Sequence, residues 1–169
     1  MATPSVSPIS LAARDHVRDV LGIFASNPLY CRVSGEFDPE AVVVEEVEAY
    51  LRKDLGTPGC HVELARVDQG AAVALLSVLT RHPQDGLPWI MELIVHGKAQ
   101  GRGIGKSLAA LAEDRFRAMG AERARLCTFE QMSSSREFWS ALGWRAILHN
   151  TRNENGQSVM VMEKSLVLA

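Results

Sequence analysis

Three cysteines among 169 residues, an odd number without a repeating spacing, build no disulfide framework. Charge of one sign is not in excess either. Lys plus Arg number 18 against 20 for Asp plus Glu, a formal net charge of −2 with a pI near 6.2. That balance excludes a nucleic-acid binder working through a broad basic face. No apolar run approaches the ~20 residues of a membrane span. The five histidines, His16, His61, His82, His96 and His149, show no metal-ligand spacing. Cys60 and His61 are adjacent, so on a strand they point to opposite faces. Met1–Ser10 carries Pro4 and Pro8 but neither a basic start nor an apolar core, which argues against a signal peptide. Repeats, low-complexity tracts and linkers are absent. Together these absences predict a cytoplasmic protein without nucleic-acid, membrane or metal partners.

What is present is ordinary in bulk. Apolar residues make up 47% and charged residues 22%, and the length suits a single domain over 1–169 that folds without staples. The pattern along the chain is more informative. Ile9–Ala12 reads as a short strand. Val17, Val20, Leu21 and Phe24 recur at helical steps, and the helix must end near Asn27-Pro28. Leu29–Phe37 has no period and reads as a loop. Asp38-Pro39 reads as a cap and first helical residue, followed by a face of Val43, Val47, Tyr50, Leu51 and Leu55 that stops at Gly56. His61–Val67 and Ala71–Leu79 form strands joined by a hairpin turn at Asp68-Gln69-Gly70. Trp89–Val95 is a strand carrying one carboxylate, Glu92. Gly103–Met119 is the strongest helix, Arg125–Phe129 a strand and Ser134–Leu142 a helix. Trp144–His149 and Val159–Leu166 close a hairpin. This order predicts an α+β fold: a mixed, mostly antiparallel central sheet flanked by helices, with one parallel pair across the long β-α-β crossover.

Gln100-Gly101-Arg102-Gly103-Ile104-Gly105-Lys106 follows a strand and opens the best helix. Glycines there let backbone amides approach an anion, and the helix N-terminus adds partial positive charge. A phosphate or pyrophosphate is the expected ligand, with tight helix packing as the alternative. A dinucleotide fingerprint would need a glycine where Lys106 stands. A P-loop would need one where Gln100 stands, although Gly105-Lys106-Ser107 supplies its end. The pattern Q/R-x-x-G-x-G/A is met in full by Gln100, Gly103 and Gly105.

On that pattern, the preceding Leu93-Ile94-Val95 and the later Phe138-Trp139…Gly143-Trp144, the chain resembles the GCN5-related N-acetyltransferase (GNAT) superfamily over essentially its whole length. The resemblance implies an acyl-CoA N-acyltransferase fold, with acetyl-CoA as co-substrate and no metal. Backbone amides of Gly101–Lys106 (Gly101, Arg102, Gly103, Ile104, Gly105 and Lys106, after Gln100) would wrap its pyrophosphate. Leu93, Ile94 and Val95 would pair with the pantetheine arm as a pseudo-strand, and Cys127–Trp139 would form the second wall.

Acetyl transfer to an amine needs a base, a polarised thioester and a proton for the leaving thiolate. Glu92, set among apolar neighbours that would raise its pKa, is the candidate base; the alternative is a carboxylate paired with an arginine across the sheet. The resemblance implies a tyrosine acid where Trp139 stands, and an asparagine where Met132 stands. An indole N–H does not release a proton near neutral pH, which leaves two readings: Ser133, Ser134 or water protonates the thiolate, with Trp139 as cofactor wall, or Trp139 is core packing and the leaving thiolate needs no dedicated acid. Tyr30, Arg32, Glu36 and Asp38 lie in the region that builds the acceptor site of this family. Tyr30 and Glu36 are the candidate substrate residues, and Asp38 reads as a cap. Cys127, in an apolar strand, reads as a buried hydrophobe. Ser133-Ser134-Ser135 lacks the glycines of a nucleophile elbow. The expected activity is direct acetyl transfer to a primary amine of a small molecule or peptide, with homodimer assembly left open. The alternative is a non-catalytic acyl-CoA-binding or regulatory domain.

Overall fold

A computed structural model describes residues 4–68 and 70–167. The first residues of the segment read against a signal peptide, and the central Gln69 of the predicted hairpin turn, lie outside them. The elements run β1 (Ser5–Pro8), α1 (Arg14–Ala25), α2 (Pro28–Ser34), α3 (Val44–Leu55), β2 (Cys60–Arg66), β3 (Ala72–Leu79), β4 (Trp89–Val95), α4 (Ile104–Ala118), β5 (Arg123–Phe129), α5 (Ser133–Ala141), β6 (Arg145–Arg152) and β7 (Ser158–Ser165). The strands form one sheet in the order β1-β2-β3-β4-β5-β7-β6. Every neighbouring pair is antiparallel except β4 and β5, which α4 joins. The predicted mixed α+β sheet is the observed one.

Three local expectations are corrected. The first strand lies at Ser5–Pro8 rather than Ile9–Ala12, pairing Ser5 with Arg66 through Pro8 with Glu63. It is an edge strand, where the missing amide of Pro8 costs no ladder bond. Leu29–Phe37 is not a loop throughout, because α2 occupies Pro28–Ser34. Pro28 ends α1 and also begins α2 at its first position, a place that proline favours. A seven-residue helix with only Cys31 and Ser34 buried is too short to show an apolar period. Finally, Asp38 caps a tight turn instead of α3. Its Oδ1 accepts from the Glu40 amide at 2.9 Å, and Val42, Val43 and Val44, poor helix starters, delay α3 to Val44.

The helices divide between the two faces of the sheet. Val17, Val20 and Phe24 of α1 and Val47 and Leu51 of α3 pack on Leu64, Leu75 and Ile94. On the other face, Ala112 and Phe116 of α4 and Trp139 of α5 pack on Leu76, Leu126 and Met162. That division decides which side chains meet at the centre of the sheet.

Candidate active site

Strand β4 is irregular where the carboxylate sits. Val78 pairs with Ile90 and the next residue of β3, Ser77, pairs with Glu92, so Met91 is an extra residue. This is a β-bulge, and Met91 is 44% exposed. Ile90 packs on the α4 side while Ile94 packs on the α1–α3 side. An unbroken strand would place 90, 92 and 94 on one face. The bulge changes the parity between Ile90 and Ile94 and sends Glu92 toward the α1–α3 side.

The bulge also ends pairing with β5. Only Trp89 with Arg125 and Ile90 with Leu126 are paired, after which the two strands part. The His96 amide donates to the Val73 carbonyl at 2.8 Å, which sets the alternation along β4. Ile94 therefore turns its backbone groups to β3, and Leu93 and Val95 turn theirs to the open side. The Val95 carbonyl is already engaged, accepting from Asn27 Nδ2 at 3.1 Å and Gln100 Nε2 at 3.0 Å. The Leu93 amide and carbonyl and the Val95 amide are left facing the gap.

Around Glu92 lies a cup of acids and aromatic rings. The Tyr30 hydroxyl is 2.6 Å from Glu92 Oε2 and 3.0 Å from Glu36 Oε2. Ser77 Oγ donates to Asp54 Oδ2 at 3.4 Å and contacts Cys60 Sγ at 3.4 Å. Phe24 stacks on Tyr30 and meets Tyr50 edge-on, and Phe129 of β5 meets Tyr30 edge-on. Burial, then the negative charge of Glu36, push the Glu92 carboxyl up to about 8, although the Tyr30 hydroxyl favours its ionised form. Burial also raises the carboxyls of Glu36 and Asp54. The nearby ammonium, Lys53, is turned outward onto Glu154 at 2.9 Å. Of the two readings of Glu92, no arginine partner for it is present among the described residues.

Cys127 is exposed, which corrects the expectation of a buried hydrophobe. It alternates with Leu126 on β5 and so shares the face of Phe129, where the parting of the strands uncovers it. Crowding of its thiol by neighbouring protein atoms, then the charges of Glu92 and Glu36, push the thiol up to about 11, so it holds its proton at neutral pH.

At the other end of the gap, Gly101 and Gly103 have φ of 74° and 77°, left-handed values that favour glycine. Gly103 caps α4, and the first amides of that helix have no carbonyl partner within it. Arg102 and Lys106 are exposed there, and among the described residues neither is paired with a carboxylate. Gly105 serves packing: a Cβ on it would lie 3.2 Å from Phe138 Cζ. The side chain of Gln100 is spent internally, donating to Asn27 Oδ1 at 2.9 Å as well as to Val95. Asn27 therefore ties α1 to β4. It carried no signal beyond a helix end.

Trp139 is 6% exposed, with its ring edge-on to Phe138 and Trp144. Ser133 and Ser134 begin α5 and are exposed, and Ser135 Oγ bonds Thr128 Oγ1 at 2.8 Å. Arg32 and Asp38 are exposed, and among the described residues neither forms a side-chain hydrogen bond or ion pair with the cup. Among the described residues no group of three His, Cys, Asp or Glu side chains has the geometry to hold a metal, and no helix is long and apolar enough to cross a membrane.

The family model described as "Acetyltransferase (GNAT) family" matches residues 29–144. Solved structures share the fold. An acetyltransferase from Thermus thermophilus superposes with a TM-score of 0.75 at 19% identity, covering 98% of this chain and 99% of that one. A spermidine N-acetyltransferase from Vibrio cholerae, in complex with CoA and spermine, gives 0.72 at 15% identity, covering 97% and 96%. The ribosomal-protein-S18-alanine N-acetyltransferase from Escherichia coli gives 0.65 at 10% identity, covering 99% and 96%. No curated protein matches the chain by sequence.

Proposed function

The chain belongs to the acetyltransferase (GNAT) family, and on that premise we propose that it transfers an acetyl group from acetyl-CoA directly to a primary amine of a small molecule or peptide. The observation that carries this reading is the bulge in β4. It sends the Glu92 carboxyl to the rim of a gap whose wall is unpaired backbone, which supports reading Glu92 as the base.

The groups present fit acetyl-CoA. The Leu93 amide and carbonyl and the Val95 amide form a free strand edge for the amide-bearing pantetheine arm. The left-handed turn at Gly101 and Gly103 and the first amides of α4 hold the pyrophosphate, with Arg102 and Lys106 supplying charge. Glu92 takes the proton from the incoming ammonium so that nitrogen can attack the thioester. A carboxyl pushed up to about 8 is matched to that task. Glu36 and Asp54 draw a cationic acceptor into the cup, and the rings of Tyr30 and Tyr50 line it. The leaving thiolate is protonated by water or the exposed Ser134 hydroxyl, since Trp139 is buried and has no acidic proton to give.

The burial of Trp139 also favours a second reading, a binding domain that kept the cleft and lost the acid. Thiol release from acetyl-CoA, measured with amino acids, polyamines, aminoglycosides and peptides, separates the two. Amine-dependent release supports transfer. Tight acetyl-CoA binding without release for any amine supports the binding domain.

A further inference from the structure

A phenol has one proton, and an ionised carboxylate can only accept. Yet the Tyr30 hydroxyl lies within hydrogen-bond distance of two carboxylate oxygens, Glu92 Oε2 at 2.6 Å and Glu36 Oε2 at 3.0 Å. Tyr30 donates to one of them. The other contact is a hydrogen bond only if that carboxyl itself carries a proton and donates to the phenol oxygen. Both contacts are hydrogen bonds when the three groups hold one proton beyond the tyrosine's own, and the chain then has two polarities. In one, Glu92 donates to Tyr30 and Tyr30 donates to Glu36. In the other, both bonds are reversed.

The surroundings favour this sharing. Asp54 of α3 adds negative charge, and Tyr50 of α3 and Cys60 of β2 are neutral. Cys127 of β5 keeps its proton, and Lys53 is paired with Glu154. Among the described residues no cation pairs with either carboxyl, two ionised carboxylates repel, and both are displaced upward from the ordinary range, Lys53 only partly offsetting this at Glu36. The two ends also differ in access: Glu92 is half-buried at the gap and Glu36, partly shielded, is the more exposed of the two.

We propose that Glu92, Tyr30 and Glu36 form a proton relay that carries the acceptor's proton out of the cleft, with Tyr30 as shuttle and Glu36 as exit. This rests on the acetyl-transfer reading above. With the shared proton on Glu36, Glu92 is ionised and removes one proton from the ammonium, leaving a neutral amine. Glu36 then releases its proton to water, and Glu92 gives a proton to the Tyr30 oxygen as Tyr30 gives its own to Glu36. One proton leaves the ammonium and one reaches solvent, so the charge of the trio is restored. Tyr30 and Glu36 act through Glu92 and are not catalytic residues in their own right.

The test compares the parent with Glu36→Gln and Tyr30→Phe in dilute buffer, with and without 1-methylimidazole as a proton carrier. The relay predicts that each variant loses about tenfold or more in kcat, beyond any change in KM for the amine, and that the carrier restores kcat. Unchanged kcat with no response to the carrier would leave Glu36 an acceptor contact only and overturn the relay, leaving acetyl transfer intact. A second readout is independent of turnover. Carbon-13 NMR of the Glu36 and Glu92 carboxyls should show two coupled steps in the parent, separated by Tyr30→Phe. Independent titrations that Tyr30→Phe does not alter would overturn the shared proton. A parent without turnover on any amine, whatever the NMR shows, would overturn the acetyl-transfer reading and the relay's role with it.

Discussion

Replacing Glu92 by glutamine should slow the enzyme and at the same time stabilise it at high pH. The carboxyl stands near 4.5 in the unfolded chain and is pushed up to about 8 in the fold, mainly by burial. Between those values the folded state holds a proton that the unfolded state has released. Stability is therefore fully present below pH 4.5 and is lost as pH rises to about 8, beyond which it is level. The displacement corresponds to roughly 3–5 kcal/mol, a large share of the 5–15 kcal/mol of a typical domain. Glutamine has the same shape, carries no charge and still accepts from Tyr30, so it removes the pH-dependent penalty and keeps the contact. Urea unfolding of both proteins at pH 5 and pH 9 measures the effect. The variant should match the parent within about 1 kcal/mol at pH 5 and exceed it by several at pH 9. Parallel stabilities at the two pH values would refute the reasoning, because they would mean that Glu92 ionises in the fold as freely as in the unfolded chain.

Other expectations follow from the same geometry. Gly103→Leu should abolish acetyl-CoA binding in calorimetry while the fold persists, since a bulky side chain on the glycine that caps α4 competes with the pyrophosphate and at φ 77° costs only about 1–2 kcal/mol of strain. Unchanged affinity would remove the turn from the cofactor site. Trp139→Phe should keep turnover within about tenfold, because the indole is buried packing between Phe138 and Trp144. A far larger loss with folding and acetyl-CoA affinity intact would place the N–H in the chemistry. Glu113 is buried, accepting from Lys164 Nζ at 2.8 Å and from Trp144 Nε1 at 3.1 Å. Glu113→Ala should therefore cost about 3–5 kcal/mol in urea unfolding by stranding the lysine.

The glycine-rich turn was legible because its signal is local. Gly101, Gly103 and the helix they open are contiguous, and in the fold both glycines take left-handed φ values at the start of α4. The mostly antiparallel sheet with one parallel pair was legible for a similar reason, since short turns and one long crossover leave few arrangements. The acceptor half was not. Its geometry depends on Met91, an unpaired residue that no alternation reveals, because a bulge is a relation between two strands. The exposure of Cys127 follows from the same parting of β4 and β5. Asn27 looks like a helix stop in the sequence, yet it holds the end of β4 through two side-chain bonds at a sequence distance no local pattern spans. Tyr30 and Glu36 stand out by residue type alone, and their convergence on Glu92 is a product of α2, a helix too short to announce itself.

The most direct test of the account is the rate of thiol release from acetyl-CoA at pH 8.5, with the amine panel, for the parent and Glu92→Gln on one day and at one concentration of folded protein. The account predicts amine-dependent release by the parent and a rate lower by roughly 10²–10⁴-fold in the variant, with acetyl-CoA affinity unchanged. Equal rates in the two proteins would contradict it, because the carboxyl at the bulge would then have no part in removing the acceptor's proton.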